Sequence, residues 1–161
     1  MGDLEGALGL ETDLKRLAEG AARAPAGVLD LPELNRKLND LHLRAELFLT
    51  DHPFGPDGDG AVWAVGYTRI HGEGWRLAAR RVCVPPETPE WDHRFSRPAL
   101  DGPPLPLTAL PRPMQLAAAA LLPELLERLR QQVFTTVRVI QWARLMPDVV
   151  RRLHYRTAPK E

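Results

Sequence analysis

The sequence predicts an α+β fold in a single domain spanning 1–161: a small antiparallel three-stranded meander flanked by N-terminal helices and a long C-terminal helix kinked at Pro123. Three observations carry this expectation. Leucines recur at helical spacing over 1–42, the apolar period drops to two over 43–84, and helical spacing returns after 113. Helices placed before and after a run of strands point to α+β rather than to alternating α/β units.

The first helix follows from Leu10, Leu14, Leu17 and Ala21, set at i, i+4, i+7 and i+11, with Gly20 or Pro25 and Gly27 as its stop. Asp30 and Glu33 have the spacing of a capping box, and Pro32 falls in the first turn, where its missing N–H costs little, so a second helix begins there. Its leucines Leu31, Leu34, Leu38 and Leu41 form a narrow stripe suited to lying against another helix.

From Leu43 the period is two: Leu43, Ala45, Leu47 and Leu49 share one face of a strand over 43–50. The stretch DHPFGPDGDG is a turn. Two further strands, AVWAVGYTRI and WRLAARRVCV, are joined by HGEG, which completes the meander. Trp63, Val65, Tyr67, Trp75, Leu77 and Ala79 suit a core face, leaving the Arg-bearing face to solvent or a partner. The single cysteine, Cys83, alternates in step with Trp75, Leu77 and Ala79 and is expected as a small buried hydrophobe.

Residues 85–113 hold nine of the sixteen prolines and read as a long crossing segment without regular structure, anchored by Trp91, Phe95 and Leu100. The last helix spans 114–146, broken by the kink at Pro123. Leu122, Leu126, Leu129, Val133, Val137 and Ile140 make one stripe, while Val139, Trp142 and Met146 lie nearly opposite. VFTTVRVI would also suit a strand, but the upstream stripe continues through it in phase, which favours helix.

A helix over 114–146 is about 50 Å long, against a diameter of about 40 Å for a compact domain of this size. Its end therefore projects, and an apolar end needs a cover. That cover is either the N-terminal helix or another chain. The second case makes Phe134, Val139, Trp142 and Met146 a protein interface, with a second copy in a homodimer or another protein as the partner.

The stretch VGYTRIHGEGWRLAARR, followed by RPMQLAAAALLPELLERL, resembles uncharacterised bacterial proteins with a leading helix, a short sheet carrying a Gly-Tyr…Gly-Trp-x-Leu pattern and a trailing helix with an internal Leu-Pro. The resemblance covers about half the chain and implies this fold. It implies no activity, and the long proline segment and Arg-rich C-terminus depart from the pattern.

Net charge is zero, yet residues 1–111 hold 12 Lys and Arg against 17 Asp and Glu, and residues 112–161 hold 9 against 4. Arg144, Arg151, Arg152 and Arg156, the last three in a basic tail over 147–161, are therefore candidates for nucleic-acid contact. Lysine is confined to positions 15, 37 and 160, a bias towards Arg that suggests a GC-rich bacterial genome. An acidic start without an apolar leader pattern, and no apolar run near 20 residues, give the expectation of a cytoplasmic protein without membrane contact.

Candidate chemistry is thin. Asp51, His52, Asp57 and Asp59 gather carboxylates in one turn, but a calcium loop needs Glu at its twelfth position, where counting from Asp57 or Asp59 gives Thr68 or Ile70. Asp92 and His93 lack a nucleophile placed by any motif, Ser96 being near in sequence only. No catalytic, cofactor or metal residue is assigned. The functional expectation is a non-enzymatic interaction module, an accessory subunit, adaptor or inhibitor, that self-associates through its C-terminal helix. A nucleic-acid accessory factor is the alternative.

Overall fold

The computed structural model describes residues 2–55, 60–83 and 98–157. Its elements are α1 (Gly2–Arg23), α2 (Leu31–Asp40), β1 (Leu47–Phe48), β2 (Val62–Ile70), β3 (Gly74–Cys83), β4 (Ala99–Pro106) and α3 (Arg112–Thr157). The sheet is antiparallel in the order β1-β2-β3-β4, so the expected three-stranded meander is corrected to four strands.

Helix α2 starts as the capping box requires: the Asp30 carboxylate accepts from the Glu33 backbone N–H at 3.1 Å. It buries Leu31, Leu34, Asn35 and Leu38 and ends before His42, which adopts φ of 53°. Asn35 has a task the leucine stripe does not announce. Strand β4 stops where Pro106 pairs with Ala78, so the next residue of β3, Leu77, lies past the end of that neighbour, and its N–H donates to Asn35 Oδ1 at 2.8 Å instead.

The strand expected over 43–50 pairs only at Leu47 and Phe48, although Leu43 and Leu49 face the core as their alternation requires. The pairing with β2 is interrupted by residues 50–53 and resumes at the Phe54–Trp63 bridge. This insertion pushes Asp51 outward, as a bulge redirects a side chain.

Strand β4 overturns the expectation of no regular structure over 85–113. Pro103, Pro104 and Pro106 donate no hydrogen bond, which an edge strand tolerates. The register slips between Ala79 and Arg81, where Gly102 takes φ of 67° and its carbonyl accepts from Arg80 Nε at 2.6 Å. Trp91 and Phe95 lie outside the described residues.

The core lies between the sheet, α1, α2 and the first half of α3, with Tyr67 stacked on Trp75 at 5.6 Å. The sheet's other face is less open than expected, since Ala64, Thr68, Ala78 and Val82 are buried. Small residues there are sheltered by larger neighbours: the Phe48 ring sits over Gly66, and Glu46 accepts from the Thr68 hydroxyl. Cys83 is exposed, not buried, at the last residue of β3, two positions past Arg81, whose guanidinium lies 5.5 Å from the Trp63 ring.

Helix α3 is one 46-residue helix, about 69 Å long, and passes Pro123 without interruption. The expected break at Pro123 is thus corrected. Buried Ala118, Ala119, Leu122, Leu125 and Leu126 hold both sides of the proline against the core, which offsets the backbone bond it cannot make. The helix also passes Pro147 and includes most of the segment expected as a basic tail, since only residues 158–161 of that segment lie outside the described residues. The ambiguous stretch 133–140 is helical.

Candidate interaction surface

Two ion pairs mark where the body lets go of α3. On one side Arg130 Nη1 binds Glu11 of α1 at 2.7 Å while its other nitrogens grip Glu127. At the far end of the same packing, Arg112 donates to the Gly27 carbonyl at 3.3 Å, so α1 runs antiparallel to α3. On the sheet side Arg128 holds both oxygens of Asp51 at 2.9 and 2.7 Å and also reaches Glu124 at 2.7 Å. That fork keeps the Asp51 carboxyl at about 2, below its ordinary value, and Arg130 likewise lowers Glu127.

Among the described residues of α3 the last fully buried one is Leu129, and Val133 is half-buried. Past these, large apolar side chains stand in solvent. Val139 is 62% exposed, Trp142 64%, Met146 50% and Phe134 39%. The N-terminal helix does not cover them; its own Leu8 is exposed as well. Phe134, Thr135, Arg138, Val139 and Trp142 line a shallow depression, with the Arg138 guanidinium 5.4 Å from the Phe134 ring.

Because α3 continues to Thr157, the outer stripe is longer than the sequence reading allowed. Val139, Trp142, Met146, Val149 and Leu153 follow one another at spacings of 3, 4, 3 and 4, the seam of a heptad repeat. Stepping back by seven from Trp142 gives Thr135 and then Arg128, so the sheet's Asp51 turn closes the lower end of this same seam. Val149 and Leu153 lie beyond Met146, where the sequence expectation ends this helix. The repeat itself was legible.

Arg144, Arg151, Arg152 and Arg156 lie on the same helix, but their side chains are outside the described residues. Asp57, Asp59, Asp92 and His93 are outside them altogether. Among the described residues no group of three or more His, Cys, Asp or Glu is placed to hold a metal ion, and no helix is long and apolar enough to cross a membrane. Asp51 and His52, flagged in sequence for their carboxylate-rich turn, are engaged with Arg128. What this surface can do chemically is bury apolar area against a complementary helix. The chain matches no protein-family model, no curated protein and no solved structure.

Proposed function

We propose that this chain is a non-enzymatic interaction protein, an accessory subunit, adaptor or inhibitor, that self-associates through the distal half of α3. One observation carries the reading: a Trp at 64% exposure in line with Val139 and Met146, on a helix that leaves its own core behind. An exposed apolar stripe of this kind is unfavourable in water and is stabilised by burial at roughly 25 cal/mol per Å². Light scattering on a sizing column, over a range of protein concentrations, tests it. The chain is expected to run as a dimer and Trp142→Glu as a folded monomer with unchanged circular dichroism. A wild-type monomer at every concentration refutes the reading, and so does a Trp142→Glu dimer.

A second reading is favoured by the extent of α3 to Thr157, which sets Arg144, Arg151, Arg152 and Arg156 on a helix rather than a loose tail. In that reading the chain is a nucleic-acid accessory factor. Binding would then weaken steeply as salt rises, because phosphate contacts release counterions. Absence of a gel shift at low salt removes it.

A further inference from the structure

Helices α1 and α2 are joined by the connection over 24–30, and between them lies an open groove of about 300 Å³. That is the lower end of the range for clefts that take small ligands, roughly 300–1,000 Å³. Its walls are apolar, with Leu17 and Ala21 on the α1 side and Leu29 and Leu34 on the other. Val28, in the connection, stands at one end with 73% of its surface exposed. The middle is unfilled because Gly20 lines it, and a Cβ built on Gly20 meets nothing within 4 Å.

The end away from the connection is cationic. Arg16 on α1 and Lys37 on α2 line it, each seven residues along its helix from the connection, about 10 Å. Neither is closely held: Arg16 Nη1 lies 3.6 Å from Asp13, and Lys37 Nζ lies 3.6 Å from Glu33. The carboxylates of the groove are committed elsewhere. Both oxygens of Glu33 accept from Arg36, at 2.8 and 2.7 Å, which holds its carboxyl below the usual value, and Asp30 caps α2. The groove's cations thus keep donors to spare while its acids are engaged.

We propose that this groove binds an amphipathic carboxylate, a free medium-chain fatty acid, with its chain over Gly20 towards Val28 and its carboxylate at Arg16 and Lys37. A small anion would use the cations and leave the apolar walls wet. A neutral chain would cover the walls and leave the cations without an acceptor. Only a ligand with both parts matches both ends of the groove. None of the residues involved belongs to α3, so the site stands apart from self-association through that helix.

The experiment is calorimetric titration of the full chain with octanoate, decanoate and decanol, below the concentrations at which they aggregate. Saturable single-site binding is expected for both carboxylates, tighter for decanoate because its added methylenes are buried. Decanol should bind roughly tenfold more weakly than decanoate, and so should decanoate to the double variant Arg16→Glu with Lys37→Glu. Gly20→Leu fills the groove without touching the core, so it should abolish binding with circular dichroism unchanged. Trp142→Glu should bind as the wild type does. Absence of saturable decanoate binding overturns the proposal. So does decanol binding as tightly as decanoate, which would leave the cations without a part. Loss of binding in Trp142→Glu overturns it as well, by placing the chain on the distal stripe of α3. Undiminished binding by Gly20→Leu is equally fatal. Should that variant fail to fold, the exposed pair Arg16→Glu with Lys37→Glu decides alone, and undiminished binding there refutes the site.

Discussion

Arg128 grips Asp51 with two nitrogens across 77 positions of sequence, joining the first half of α3 to the turn that interrupts the pairing of β1. The bridge closes the lower end of the seam and fixes where the helix leaves the body.

The Asp51 carboxyl lies at about 2 in the folded chain, below its ordinary 3.8, chiefly because Arg128 hydrogen-bonds its ionised form. A depressed carboxyl contributes stability above its unfolded value and loses it as pH falls through the folded one. Asp51 is 53% exposed, so solvent screening limits the contribution to roughly 0.5–1 kcal/mol. Urea denaturation at pH 7 should show Asp51→Asn less stable by about that amount, and the difference from wild type should vanish between about pH 4 and pH 2. A difference that persists at pH 2 would place the effect elsewhere.

Asn35→Ala should cost more, about 1–3 kcal/mol. Its amide oxygen is the acceptor for the Leu77 N–H at a point where β4 has ended, and both residues are buried. Asn35→Leu restores volume but not the acceptor, so it should recover little of the loss in urea melts. Full recovery would mean that packing, not the hydrogen bond, matters at this position.

The helical stripes were legible because a helix writes its buried face at a fixed spacing, and Leu14, Leu34, Leu38, Leu122 and Leu129 are buried where that spacing put them. The exposed Val139, Trp142 and Met146 were legible for the same reason, while Phe134 falls on neither stripe. Strand pairing is different. Alternation assigns a face but not a neighbour, so Leu43 to Leu49 faced inward as expected while only Leu47 and Phe48 found partners as a strand. Strand β4 was hidden by Pro103, Pro104 and Pro106, which argue against a central strand but not against an edge. Pro147 shows the converse: a proline weakens a helix without having to end it, and α3 runs through it to Thr157, past the expected end at Met146.

Gly66→Ala should destabilise the sheet by about 1–3 kcal/mol. A Cβ at that position would collide with the Phe48 ring and lie 2.5 Å from the Leu47 carbonyl oxygen, which is backbone and cannot swing away. The paired variant Gly66→Ala with Phe48→Ala relieves only the first collision, so it should remain less stable than Phe48→Ala alone. Equal thermal stability of those two would show that the ring was the whole obstacle.

Association and stability should be linked through mass action. If the distal half of α3 is buried only in the dimer, unfolding also separates the chains, and the melting temperature rises with protein concentration, by about 2 °C per tenfold for two chains of this size. Trp142→Glu should abolish the slope, because its substitution lies outside the core and acts on the seam alone. Leu129→Ala should do the reverse. Leu129 is fully buried beneath α1 and the sheet, so its truncation should lower stability by about 2–5 kcal/mol at every concentration and leave the slope in place. Calorimetry over two decades of concentration separates these effects. A wild-type melting temperature independent of concentration would mean that Val139, Trp142 and Met146 are as exposed in solution as they are in the single chain.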